Sequence, residues 1–140
     1  MTWDEYGLML AEAVSKKSKD PSTKVGAVIL ASDNSVVSTG YNGFPAWIED
    51  TEERLNNREE KLKLVIHGEM NAILFAKQDL ECCTLYTWPF MPCSRCAIHV
   101  IQAGIIRIVA PHCDDPKWGD NSETINLFNE ASVGVTLYHD

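Results

Sequence analysis

The sequence has no apolar run near the ~20 residues that cross a bilayer. Its first residues, Met1-Thr2-Trp3-Asp4-Glu5, lack the basic end and apolar stretch of a signal peptide. Both absences point to a cytoplasmic chain with no membrane partner. Positive charge is scarce: twelve lysines and arginines stand against twenty acids, a net charge of −8. A protein that grips DNA or tRNA by neutralising many phosphates is not expected, whereas one small phosphorylated ligand fits this balance. Repeats, low-complexity tracts and linkers are missing, so residues 1–140 read as a single domain. The five cysteines are odd in number, and a chain of this size needs no cross-links, so a disulfide framework is not expected. Cysteines in a reducing compartment fill cores or hold metals, and their spacing decides which. What is present is globular: 45% hydrophobic and 23% charged residues. A chain of this length can bury about two thirds of its unfolded surface.

Residues 3–17 carry Trp3, Tyr6, Leu10 and Val14 at helical spacing, with Thr2 as N-cap. A loop over 18–23 is stopped by Pro21. Lys24 to Leu30 is an apolar, β-branched run that predicts a buried strand. The turn Asp33-Asn34-Ser35 returns it antiparallel as Val36 to Thr39. Residues 50–64 predict a charged surface helix capped by Asp50 or Thr51, and 67–77 an amphipathic helix opening near His67. Thereafter strands at 84–88, 105–110 and 133–138 alternate with helices at 93–103 and 122–131, the former stopped by Gly104. This alternation predicts an α/β sheet covered by helices, its later strands parallel.

Two short motifs carry chemistry. His67-Gly68-Glu69 opens one predicted helix, and Pro92-Cys93-Ser94-Arg95-Cys96 opens the next after a strand. Two cysteines in the first turn of a helix can hold one ion, and the helix N-terminus favours their thiolates. His67 completes three protein ligands for zinc, leaving a fourth position open as in catalytic sites. Glu69 need not ligate and can move protons from zinc-activated water to a substrate nitrogen. Alone, C-x-x-C also reads as a redox pair and H-x-E as a packed histidine. Together they form the H-x-E and P-C-x-x-C signature of zinc nucleobase deaminases.

Over nearly its whole length the chain resembles the cytidine and deoxycytidylate deaminase family. The resemblance rests on the zinc motifs and on Ser18-Lys19-Asp20-Pro21, Lys24-Val25-Gly26-Ala27-Val28, Glu69-Met70-Asn71-Ala72-Ile73 and Ile101-Gln102-Ala103-Gly104-Ile105. Gly40-Tyr41-Asn42-Gly43-Phe44-Pro45 is the most discriminating segment and looks like the deoxycytidylate (dCMP) branch. The resemblance implies a three-layer α-β-α fold, a five-stranded mixed sheet with helices on both faces. It implies hydrolysis of dCMP to dUMP and ammonia by a zinc-bound hydroxide. One Zn2+ per chain would sit on His67, Cys93 and Cys96, with Glu69 shuttling protons among water, base N3 and leaving amine. Asn42 would touch the sugar or base edge. Homo-oligomers, hexamers among them, and dCTP and dTTP effectors belong to the family. The family's alanine between histidine and glutamate is Gly68 here, and Thr87 to Pro92 is a bulkier approach to the cysteines, expected to line the base pocket.

Residues 16–24 hold four lysines and one acid. They read equally as a solvated helix end or as a phosphate seat with loop amides and Ser22 or Lys24 as donors. Cys82 and Cys83 are expected to pack, and a second metal at His112 and Cys113 is not favoured. His99 is expected at an interface or packed, His139 solvated, and Trp118 either shelters the site mouth or packs. Competing functions are deamination of cytidine, dCTP, guanine or tRNA adenosine, and a non-catalytic zinc module. Glu69 argues against the last, because a purely structural zinc site has no use for a proton shuttle.

Overall fold

The computed structural model describes residues 1–115 and 121–139. Helix α1 (Trp3–Ser15) is followed by strands β1 (Gly26–Leu30) and β2 (Val36–Tyr41). Three helices follow, α2 (Glu52–Asn56), α3 (Arg58–Leu64) and α4 (Gly68–Phe75). The chain continues through β3 (Thr84–Trp88), α5 (Ser94–Gln102), β4 (Arg107–Pro111), α6 (Ser122–Glu130) and β5 (Gly134–Tyr138). The strands form one sheet in the order β2-β1-β3-β4-β5. β1 is antiparallel to both its neighbours, while β3, β4 and β5 run parallel. The expected five-stranded mixed sheet is therefore present.

Side-chain alternation divides the core into two layers. Ala27 and Ile29 of β1, Leu85 of β3, and Ile108 and Ala110 of β4 face Ala72 of α4, Ala97 and Val100 of α5, and Phe128 of α6. The intervening Val28, Leu30, Tyr86 and Val109 face Leu8 and Ala11 of α1. All five residues of β1 are buried, because helices cover both of its faces. That is why its sequence is a continuous apolar run. Each fully buried aliphatic side chain contributes about 1.5–3 kcal/mol.

Glycine allows α4 to approach the sheet closely. A Cβ at Gly40 of β2 would fall into the backbone of α4, at Ala72 N and Gly68 O. Its absence lets α4, which carries the H-x-E motif, lie directly on the sheet. Beneath the other face, Asp4 at the start of α1 is bound by Arg107 of β4 (Nη1–Oδ1 2.8 Å, Nη2–Oδ2 2.6 Å). The Tyr86 hydroxyl donates to Asp4 Oδ1 at 2.9 Å. Burial, and then this bond, push the Tyr86 pKa up to about 12.

Element boundaries differ from the sequence expectation for local reasons. Thr2 Oγ1 caps α1 by accepting from Glu5 N at 3.1 Å, as expected. The helix ends at Ser15, because the Lys16 and Lys17 amides tighten onto the carbonyls three residues back. The expected helix over 50–64 is two helices, broken where Asn57 turns extended (φ −89°, ψ 100°) and caps α3 by accepting from Glu60 N. Thr51, not Asp50, caps α2. β1 starts at Gly26 because the Val25 amide is taken by the Asn42 side chain. Gly104 ends the α5 segment at φ +90°. Cys83 packs in the core, but Cys82 is exposed, in a left-handed turn (φ +64°) whose amide donates to Gly104 O. All five cysteines are free. Among the described residues no helix is long and apolar enough to cross a membrane. Trp118 lies outside the described residues.

Candidate active site

Two helix N-termini meet at the site. His67 is the N-cap of α4 and Cys93 the N-cap of α5, both with extended backbone and neither using its side chain as a cap. Cys96 lies three residues further, in the first turn of α5. His67 Nδ1 is 3.2 Å from Cys96 Sγ and 3.6 Å from Cys93 Sγ, and the three donor atoms lie within 4.8 Å of one another. A tetrahedral zinc with ligands at about 2.0–2.3 Å requires donor atoms about 3.3–3.8 Å apart. The nitrogen and two sulfurs therefore fit zinc in chemistry and in spacing, with one coordination position left over. Among the described residues no other His, Cys, Asp or Glu cluster could hold a metal. At the expected weak alternative, His112 Nε2 instead faces Asp114 Oδ1 at 3.3 Å, and its ring stacks on exposed His139. His99 is exposed, its Nδ1 2.9 Å from the Arg95 carbonyl oxygen.

The electrostatics suit metal capture. Hydrogen bonds from Cys96 and then His67 lower the Cys93 pKa to about 3, so it is a thiolate. His67 is raised by its bond to Cys93 against the opposing effect of burial. Cys96 is pushed up by Cys93 and by burial. Zinc binding must displace these protons. Glu69, in the first turn of α4, is only 4% exposed. Burial is the main cause holding its carboxyl above the ordinary carboxylate range.

His67, Glu69 and Cys93 open onto a cavity of ≈470 Å³. That is within the range of small-molecule sites, about 300–1,000 Å³. Asn42 and Ser22 also line it, whereas Lys24 is exposed and lies outside the lining. Asn42 is 7% exposed and turned toward the loop that precedes β1. Its Oδ1 accepts from Val25 N and its Nδ2 donates to Thr23 O, both at 2.9 Å. The loop amides are not open donors either: Ser22 N and Thr23 N donate to Asp20 Oδ1 at 2.8 and 3.1 Å. The cations that do reach the cavity are on α3: exposed Arg58, and Lys61, which is buried and paired with Asp20 at 3.2 Å. In the sequence Lys61 is one charge in a run of charged residues, Arg58 to Lys63, with little local that marks it as buried. The available signal is its place three residues before Leu64, on the same face of α3.

Known proteins match this geometry. Residues 1–111 match the cytidine and deoxycytidylate deaminase zinc-binding region. The chain is 41% identical over 138 residues to the uncharacterized deaminase in the luxG 3′ region of Aliivibrio fischeri, covering 96% of this chain and 92% of that one. It is 35% identical over 145 residues to human deoxycytidylate deaminase, covering 95% and 78%. The dCMP deaminase of cyanophage S-TIM5, solved with dCMP and dUMP, superposes with a TM-score of 0.76 at 22% identity over 96% of this chain and 95% of that one. A zinc-dependent nucleotide-processing hydrolase is thus the class that fold and site define. The chain belongs to the cytidine and deoxycytidylate deaminase family.

Proposed function

We propose that the protein hydrolyses dCMP: dCMP and water give dUMP and ammonia, forming the C4–O bond and breaking the bond from C4 to the exocyclic nitrogen. The observation that carries this reading is a group of three zinc-type donor atoms within 4.8 Å of one another, of which His67 and Cys93 line the cavity together with the buried carboxylate of Glu69. In this reading His67, Cys93 and Cys96 hold the single Zn2+. Zinc bound there acts as a Lewis acid that makes water a nucleophile near neutral pH. Glu69 takes one proton of the attacking water and gives it to base N3, then carries the second proton, from the new hydroxyl on C4, to the departing amine, leaving the C4 carbonyl of dUMP and free ammonia. Its burial, which raises its proton affinity, matches a group that must be both base and acid near neutrality.

The nucleotide substrate class is supported by the family and by relatives named for deoxycytidylate. Asn42 acts through the loop it holds, and Ser22 contributes to the cavity wall. Lys24 has no role in this reading. Residues 1–140 work as one deaminase unit in the cytoplasm, assembled as a homo-oligomer and responsive to dCTP and dTTP. Support for assembly and effectors is the family resemblance, and support for location is the set of free cysteines. The test incubates zinc-quantified protein with dCMP, CMP, cytidine and dCTP, with and without added dCTP or dTTP, following loss of cytosine absorbance. Turnover confined to dCMP is the expected result. Turnover of none of them at one zinc per chain contradicts the reading.

A further inference from the structure

We propose that Arg58 and Lys61 of α3 seat the 5′-phosphate of a nucleoside monophosphate and so select the nucleotide over its nucleoside. This assignment rests on the deaminase reading of the adjoining site. The two residues are three apart on one helix, hence on one face, and both line the catalytic cavity. Lys61 is 6% exposed. Its ammonium is held 3.2 Å from Asp20 Oδ1 and 3.2 Å from Ser22 Oγ. An ammonium has three donors, so two are in use and one remains for a ligand.

Asp20 locks this arrangement. Its Oδ1 also accepts the amides of Ser22 and Thr23, which ties the loop before β1 to α3. A buried ion pair is in general a poor source of stability, because a packed apolar pair does as well or better. A pair in a cavity wall has another use: it fixes a lysine that would otherwise lose much rotamer freedom on meeting a ligand. Arg58 supplies the complementary property. It is exposed, has no carboxylate partner among the described residues, and carries a fork that matches phosphate oxygens.

Charge on the wall limits the ligand. Asp20 offsets Lys61, so Arg58 provides the net positive charge and Lys61 the fixed donor. Glu69 and Glu123 line the same cavity and oppose a longer phosphate chain. One phosphate is the fitting ligand. The lysines of residues 16–24 do not line this cavity, and Lys19 is paired with Asp50 at 3.3 Å.

The test is the ratio of kcat/KM for dCMP to that for deoxycytidine, in the zinc-loaded wild type, Arg58→Gln, and the double variant Asp20→Asn with Lys61→Gln. The double variant removes the buried pair together and leaves no lone buried charge. The ratio should fall about tenfold or more in each variant, mainly through KM for dCMP, with zinc content unchanged. Arg58 is exposed, so Arg58→Gln decides the matter even where the double variant folds poorly. An unchanged ratio in Arg58→Gln overturns the assignment and leaves the deaminase reading standing. So does a wild type that uses deoxycytidine as well as dCMP. A wild type that uses neither overturns both.

Discussion

Replacing Asn42 by alanine separates a residue that holds the loop from one that touches substrate. The side chain makes two bonds to the backbone, accepting from Val25 N and donating to Thr23 O, both at 2.9 Å. Each such bond contributes about 0.5–1.5 kcal/mol net, and a part-buried Val25 amide left without its acceptor adds to the loss. The expected cost is about 2–3 kcal/mol, or roughly 6–12 °C in Tm for a chain of this size. Thr23 and Val25 line the cavity, so KM for dCMP should rise as the loop loosens. Asn42→Asp keeps the acceptor and loses the donor, and should cost about 1 kcal/mol. The assay is urea unfolding at fixed protein concentration, with m checked for constancy. If Asn42→Ala unfolds at the wild-type urea midpoint while KM rises, the side chain acts on the substrate and the loop-holding account fails.

Other elements make equally direct predictions. The Arg107 hydrogen bonds hold the Asp4 carboxyl below its ordinary value of 3.8. Their stabilisation is fully present above that unfolded-state value and is lost as pH falls through the lower folded value. Asp4→Asn should therefore cost about 1–2 kcal/mol at pH 7, and the gap in urea midpoint should close in acid; a pH-independent gap contradicts this. Gly40→Ala pushes on the backbone of α4, so it should cost about 2 kcal/mol or more and weaken zinc retention against a chelator. Wild-type zinc affinity in that variant would show that α4 is not seated through Gly40. Gly68→Ala restores the family's residue, but its Cβ would lie 3.3 Å from Gly40 O and 3.4 Å from Val25 Cγ1. A helix-propensity gain of up to ~1 kcal/mol offsets this crowding, so a thermal melt should move little. A loss above about 2 kcal/mol would show that this contact cannot relax.

Much of this molecule is written in short-range pattern. The apolar, β-branched run ending at Leu30 reads as a buried strand, and the alternation of strands and helices points to the parallel half of the sheet. The two zinc motifs were legible because each places its ligands at the start of a helix, so local spacing fixes most of the geometry. What escaped depends on distance in sequence. Lys61 is buried by Asp20, 41 residues away, and nothing in the run Arg58 to Lys63 distinguishes it from a solvated lysine except its helical face. The Ser22 and Thr23 amides look like free donors until Asp20 turns them inward. Asn42 stands out in the motif, yet its two bonds reach back 17 and 19 residues to the loop before β1. The break at Asn57 was hidden because the charged residues around it favour helix on either side. Cys82 is exposed through its left-handed turn, which composition does not show.

The central claim is a zinc site whose proton carrier is Glu69. The most direct test measures zinc per chain and dCMP turnover in the same preparations of wild type and Glu69→Gln. Both proteins should hold one zinc, the wild type should produce dUMP and ammonia, and the variant should lose about 10²–10⁴-fold or more in rate. Activity that persists in Glu69→Gln, or zinc that leaves with the carboxylate, would contradict the account.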